Sequence, residues 1–324
     1  MRNLLTTALA CAIGLVVSSP ASADPELLPY TQLDQARTAW QGAQYLYGSG
    51  ESAAISRASY ASLTTYVLSE LKGARLHKPL HSVVLAKEAD KPGAPCSGDV
   101  VCTVEHRSFT PCRPGMKAAV VFDADETLLL NIGAEYAATV NDQGYTTARW
   151  ERWESEGTQA VAAVPGAVEA LATLRAKGVK IIVISNRDAT SPTDPTSHKD
   201  LSQFTVEALA NAKLGSFVHE GKDQNLFLGK EHGDTGTLKD GRRAHVAERY
   251  CVIAMVGDQL GDFSDRFSGP KMQPKRAMVD KIALWGRGWF LLPNPVYGSA
   301  TPYPGDVTDV FPDPQTHWVD KPAQ

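Results

Sequence analysis

From residue 117 onward the chain alternates short apolar runs with stretches of helical spacing. The runs "AAVVF", "VKIIVIS", "LFLG", "CVIAMVG" and "GWFLLPN" are interleaved with "AVEALATLRAKG", "DLSQFTVEALANAKLG" and "LKDGRRAHVAERY". A run of four to seven apolar residues without alternation is buried on both faces, the pattern of a parallel strand covered by helices on each side. The texture therefore predicts an α/β fold with a parallel sheet flanked by helices. Such sheets bind ligands at the carboxyl ends of their strands.

The residues that follow each run are chemically selective. Asp123, Asp125, Glu126 and Thr127 follow the first, Ser185, Asn186 and Arg187 the second, and Gly257, Asp258 and Asp262 the run that starts at Cys251. Lys239 opens the helical stretch before that run. A buried strand that ends in three acids within four positions needs something to offset the charge. Phosphoryl transfer through an aspartyl-phosphate accounts for each group. Asp123, at the strand tip, is the candidate nucleophile. Asp125 faces the same side if the chain stays extended, and there it can protonate the leaving oxygen and later accept a proton from water. Mg2+ suits oxygen ligands and phosphate, with Asp123, the backbone carbonyl of Asp125 and Asp258 as candidate ligands. Asp262, expected one turn further along a helix, can orient a metal-bound water. The Ser185 hydroxyl and Lys239 ammonium can hold phosphoryl oxygens. Glu126 and Arg187 read equally well as loop-fixing groups or substrate contacts. "DADE" alone reads equally well as an acidic turn. The recurrence of Ser, Lys and Gly-Asp-x-x-x-Asp, each beside its own apolar run, is what favours a site.

The N-terminus, "MRNLLTTALACAIGLVVSSPASADPE", has Arg2, an apolar run to Val17 and a small-residue site at Ala21-Ser22-Ala23. This pattern predicts a signal peptide over 1–23, cleaved near Ala23, and a periplasmic or secreted protein. The run is too short to span a bilayer, and Cys11 lies inside it rather than after it, which argues against lipidation. Cleavage leaves Cys96, Cys102, Cys112 and Cys251, an even number that suggests two disulfides in an exported chain. Their spacing does not suit zinc, and Pro79 between His77 and His81 argues against a helical metal pair. A formal charge of −4 points away from a nucleic acid polymer or an anionic membrane as partner. Residues 24–112 divide into a helical region, 31–73, interrupted at Gly48-Ser49-Gly50, and an irregular segment from 74 that holds three cysteines. A core is expected over 113–300 and an irregular tail over 301–324.

The set Asp-x-Asp-x-Thr, Ser, Lys, Gly-Asp-x-x-x-Asp resembles the haloacid dehalogenase superfamily. "FDADETLLLN", "RWERW", "VPGAVEAL", "VISNRD", "VGDQLGDF" and "LLPNPVYG" together resemble the class C acid phosphatases, over roughly residues 38 to 298. The resemblance implies a Rossmann-like core with an N-terminal helical segment and a small cap inserted near 131–164. It implies a Mg2+-dependent phosphomonoesterase acting on nucleoside 5′-monophosphates. It makes Asp123 the nucleophile, Asp125 the acid/base, Ser185 and Lys239 the phosphate holders, and Asp258 and Asp262 the acids near the metal. Thr127 belongs to the first motif, and Asn186 is a candidate substrate contact. The resemblance also implies an aromatic clamp at Tyr145, Trp150 and Tyr297, although spacing alone reads Trp150 and Trp153 as core residues. The chain departs from the family pattern at Gln259, at Leu130-Asn131 and at Tyr136. In this superfamily the strands near Cys112 and Cys251 are expected to be parallel neighbours, which favours Cys112–Cys251 with Cys96–Cys102 over the two other pairings. A non-enzymatic binding or storage protein of this fold is the alternative function. A phosphoaccepting switch domain or a dehalogenase would not need Asp125. A homo-oligomer stays open.

Overall fold

A computed structural model describes residues 41–86, 109–141, 144–194, 196, 200–268, 272–280 and 282–300. The expected signal segment, Cys11, Cys96, Cys102 and the tail over 301–324 lie outside the described residues. The strands are β1 (Ala118–Phe122), β2 (Leu129–Leu130), β3 (Ala162–Ala163), β4 (Lys180–Ile184), β5 (Leu226–Phe227), β6 (Cys251–Gly257) and β7 (Trp289–Leu291). The α-helices are α1 (Gly50–Arg75), α2 (Ile132–Val140), α3 (Thr147–Glu156), α4 (Ala167–Ala176), α5 (Ser202–Asn211), α6 (Asp240–Ala247) and α7 (Met272–Val279).

Among the described residues, five strands form one parallel sheet in the order β5-β4-β1-β6-β7. Both faces are covered, which explains the unbroken apolar runs. Val120, Phe122, Ile181 and Val183 share a core with Tyr60, Leu63 and Val67 of α1, Leu171 and Leu174 of α4, and Leu209 of α5. Val121, Ile182, Ile184 and Met255 face the other way, toward Val246 of α6 and the aromatic group Phe263, Phe267 and Trp289. The alternation of Val120 and Val121 between the two cores is the period-2 pleat of a strand.

The break expected at Gly48-Ser49-Gly50 is a helix start. Ser49 is extended, and its hydroxyl accepts from the Ser52 backbone N–H at 3.1 Å, capping α1. A single π-helical turn, Gln44–Gly48, precedes it. Between β1 and α4 the chain makes an excursion that carries α2 and α3, and β2 pairs antiparallel with β3 at its base. No helix among the described residues is long and apolar enough to cross a membrane.

Cys112 and Cys251 form a disulfide with their Cα atoms 4.9 Å apart. Ala118 of β1 pairs with Cys251 in register. The bridge therefore lies at the amino edge of the sheet, opposite the carboxyl ends that carry the polar residues. It closes a loop with a sequence separation of 139 residues, for which the chain-entropy contribution is about 4–5 kcal/mol. The Cys112→Ser variant is expected to lose about 2–4 kcal/mol of stability in urea denaturation, with kcat of the folded protein unchanged. A parallel fall in kcat would tie this edge to the site.

Candidate active site

Three strands deliver the site. Asp123 directly follows β1, and its N–H continues the ladder by donating to the Val256 carbonyl at 3.0 Å. Ser185 directly follows β4, and its N–H donates to the Phe227 carbonyl at 2.9 Å. Asp258 directly follows β6. Lys239 precedes α6 and reaches back across the sheet edge. Its ammonium donates to Asp123, to Asp262 Oδ1 at 2.7 Å and to the Ile184 carbonyl at 3.2 Å.

Asp123, Asp258 and Asp262 are buried, and each offers a carboxylate oxygen within 4.8 Å of the others. Asp258 is held from both sides. Thr127 Oγ1 donates to its Oδ1 at 3.1 Å, and Asn294 Nδ2 and Gln259 Nε2 donate to its Oδ2 at 2.7 and 3.0 Å. Asp262 folds back on the end of β6, where its Oδ2 accepts from the backbone N–H of Asp258 at 3.1 Å and of Gln259 at 2.9 Å. Gly257 permits this fold, since a Cβ there would lie 2.3 Å from the Asp262 Cβ. Asp262 ends a 3-10 turn, Leu260–Asp262, rather than lying one turn along an α-helix. The close return against Gly257 requires the tighter turn.

One ammonium stands among three carboxylates. Burial pushes the Asp123 carboxyl well above its usual range, against the pull of Lys239. Burial and then Asp262 push Asp258 up to about 7, while its bonds from Asn294 and Gln259 pull the other way. Burial opposes the Lys239 charge, yet Asp123 and Asp262 outweigh it and hold that pKa above the ordinary lysine value. A buried excess of carboxylate oxygens, with no soft donor, fits a hard divalent cation such as Mg2+.

Asp125 reaches the site by a different route from the one expected. The chain does not stay extended after Asp123. The Leu128 and Leu129 N–H groups both donate to the Ala124 carbonyl at 2.8 Å, and Glu126 adopts φ 54°. Ala124, Leu128 and Leu129 are all fully buried, so the turn is what brings these apolar side chains into the core. Asp125 is ion-paired with Arg187, whose Nη2 and Nε donate to Oδ1 at 2.7 and 3.0 Å. Burial raises the Asp125 pKa, but Arg187 outweighs it and holds the carboxyl below the ordinary aspartate range. Arg187 is thereby an ion-pair residue. Glu126 is hydrogen-bonded instead, by Tyr47, Tyr297 and Asn131. Burial and then Asp125 push Glu126 up to about 7.

Ser185 and Thr127 are fully buried and do not border the cleft. The Ser185 Oγ accepts from the Arg187 backbone N–H at 3.1 Å, and Thr127 serves Asp258. Asn186 does border the cleft, with its Nδ2 donating to the Thr237 carbonyl at 3.1 Å. The cleft measures about 1470 Å³ and is also bordered by Asp123, Asp125, Asp258, Asp262 and Lys239.

Tyr145, Trp150 and Tyr297 border the same cleft. The Tyr145 and Trp150 rings are 6.4 Å apart and inclined by 43°. Tyr145 is 71% exposed, so its ring is open to a flat partner. Tyr297 has its phenol committed to Glu126. Trp150 donates to Glu154 Oε1 at 2.9 Å, and burial pushes that carboxyl up to about 8. Trp150 and Trp153 are both half-buried cleft residues. The core reading from helical spacing fails because the apolar side of α3 meets the cleft instead of the sheet. Asn131, Glu154, Arg242 and Asn294 also shape the site; Asn131 and Asn294 stand in the stretches "FDADETLLLN" and "LLPNPVYG" without a role being legible there, and Glu154 and Arg242 carry no signal in a single sequence.

Residues 100–300 match the family model described as HAD superfamily, subfamily IIIB (Acid phosphatase). In fold the chain is similar to the Class C acid phosphatase from Bacillus anthracis, at TM-score 0.58 and 20% identity over 84% of this chain and 92% of that one. A second structure of that protein, with tungstate bound, gives TM-score 0.56 at the same identity and coverage. At this identity the structures speak for the fold, whereas the family match takes in well over half of the chain and runs through every strand-end residue described above. The chain thus belongs to the acid phosphatases of HAD subfamily IIIB, a family of phosphomonoesterases.

Proposed function

We propose that this protein is an exported, Mg2+-dependent acid phosphatase that hydrolyses nucleoside 5′-monophosphates through an aspartyl-phosphate on Asp123. The observation that carries the reading is the buried Asp123–Asp258–Asp262 group beside Lys239, open to a cleft edged by aromatic rings. Asp123 Oδ1 is taken by Lys239, while Oδ2 accepts no hydrogen bond from the described residues. Oδ2 is then the atom that attacks phosphorus. The negative charge of a bound phosphate ester favours the protonated Asp125 that Arg187 alone disfavours, and Asp125 then gives that proton to the departing ester oxygen. In the second half-reaction it takes a proton from the water that attacks the phospho-aspartate. Lys239 offsets charge on the phosphoryl oxygens. The carboxylates of Asp123, Asp258 and Asp262 and the backbone carbonyl of Asp125 would hold Mg2+, which when bound offsets negative charge on the carboxylates and the phosphoryl group.

Tyr145 and Trp150 offer faces on which a base can stack, worth about 1–3 kcal/mol per base. The tungstate carried by the Bacillus anthracis relative is a tetrahedral oxyanion, as phosphate is. The Cys112–Cys251 bridge suits an oxidising compartment such as the periplasm, in line with the signal segment over 1–23.

The test is a hydrolysis panel of 5′-nucleotides and a ring-free phosphate ester, run with Mg2+ and after exhaustive chelation. Chelation is expected to lower kcat by about two orders of magnitude or more, and added Mg2+ to restore it. Nucleotides are expected to exceed the ring-free ester in kcat/KM by about 5- to 150-fold. Full activity after chelation removes the metal assignment. Equal kcat/KM across the panel removes the nucleotide.

A further inference from the structure

Asn131 touches four groups that matter to the acid/base step. Its side chain is fully buried at the start of α2. Nδ2 donates to Asp125 Oδ1 at 2.8 Å and to the two Glu126 oxygens at 3.2 and 3.3 Å. Oδ1 accepts from Trp153 Nε1 and from Arg187 Nη2, both at 3.0 Å. Among side chains of this size, only a primary amide offers two donors and a carbonyl acceptor together.

The Trp153 indole and the Arg187 guanidinium are both donor-only, so together they demand the oxygen of Asn131 and leave the nitrogen for Asp125 and Glu126. The indole itself has little room to turn. A Cβ on Gly133 would come within 2.8 Å of the ring, and one on Gly157 within 2.1 Å. These two glycines let α3 deliver the ring to Asn131.

The consequence falls on Asp125. Arg187 Nη2, Arg187 Nε and Asn131 Nδ2 converge on Oδ1, at 2.7, 3.0 and 2.8 Å. Oδ2 receives the Arg187 Nε alone, at 3.2 Å. An oxygen that already accepts three donors is a poor place for a proton, so Oδ2 is left to carry it. We infer that Asn131, held by Trp153 and Arg187, is a positioning residue that adds the third donor to Oδ1 and so, with Arg187, leaves Oδ2 of Asp125 as the proton-carrying atom. In the first half-reaction the Oδ2–H proton passes to the leaving oxygen as its bond to phosphorus breaks and the bond from Asp123 forms. In the second, Oδ2 recovers a proton from the attacking water. This inference rests on Asp125 being the acid/base, as proposed above.

The test is the leaving-group dependence of kcat/KM, which covers events up to departure of the alcohol. The full chain with Mg2+ is assayed on an alkyl phosphate, which needs the acid, and on 4-nitrophenyl phosphate, whose leaving group needs it far less. Asn131→Leu, close in size and without polar atoms, is expected to lose about 100-fold on the alkyl ester and less than about tenfold on the nitrophenyl ester. Trp153→Phe keeps a ring and removes the N–H. It is expected to lose selectively in the same direction by a smaller factor, and it reports on the relay even if Asn131→Leu does not fold. Losses of equal size on both esters in these variants would overturn the positioning role. Asp125→Asn is the control. A selective loss there, with uniform losses at Asn131 and Trp153, sinks only the relay. A uniform loss at Asp125 itself sinks the acid/base reading and the relay with it.

Discussion

Asp123→Asn is expected to cut turnover of every phosphomonoester by a factor on the order of 10⁴–10⁶, the scale at which loss of a nucleophile leaves only binding and charge stabilisation. The amide has no anionic oxygen with which to attack phosphorus. Its size is nearly unchanged, and its carbonyl can still accept from Lys239, which also keeps Asp262 and the Ile184 carbonyl. The fold is expected to survive for a further reason. Burial and the neighbouring Asp262 and Asp258 already disfavour the charged form of Asp123, with Lys239 opposing them, so a neutral side chain at that point relieves repulsion between carboxylates. Thermal unfolding should therefore show a Tm equal to or above that of the parent. Acid quench after mixing with phosphate-labelled substrate should trap a phosphoprotein in the parent and none in the variant. Turnover within about 100-fold of the parent would remove the covalent mechanism.

Much of this site was legible because the sheet forces it. Any residue directly after a doubly buried strand lands at the carboxyl edge, so Asp123, Ser185 and Asp258 could be placed without knowing how the strands are ordered. Lys239 was legible as a charge just ahead of a helix that precedes such a strand. The conformation between Asp123 and Leu129 was not. An extended chain and a tight turn give the same apolar count there, and burial of Ala124, Leu128 and Leu129 decides for the turn. The partners of the acids were illegible for a related reason. Arg187 lies 62 positions from Asp125 in the chain, and Asn294 lies 36 from Asp258. No periodicity reports a contact at such separations. Trp150 and Trp153 show the limit of spacing arguments. Helical period marks which side of α3 is apolar, but not whether that side meets a sheet or a ligand cleft.

Arg242→Met is expected to cost about 3–5 kcal/mol of folding stability, the range for removing one partner of a buried ion pair. Arg242 is fully buried in the first turn of α6. Its Nε donates to Asp234 Oδ2 at 2.7 Å, and its other nitrogens donate to the Ser185 carbonyl, to Asn186 Oδ1 at 2.8 Å and to the Leu238 carbonyl at 2.6 Å. Methionine fills part of the space but leaves all these acceptors without the donor they share. Among the described residues Asp234 then retains only backbone donors, from Gly241 at 2.7 Å and from residue 242 itself at 3.2 Å. Lysine is not a remedy, because one ammonium cannot reach acceptors spread around a planar fork. Arg242→Lys should therefore recover less than half of the loss. Adding Asp234→Leu to Arg242→Met should recover part of it by removing the stranded charge, although Gly241 then loses its acceptor. The same substitution loosens Ser185 and Asn186, which follow β4, and Asn186 borders the cleft, so KM for phosphate esters should rise in whatever fraction stays folded. Urea denaturation of the four proteins settles the energetic claim. A loss below about 1 kcal/mol for Arg242→Met, the scale of an exposed ion pair, would mean that this guanidinium does not join α6 to the end of β4.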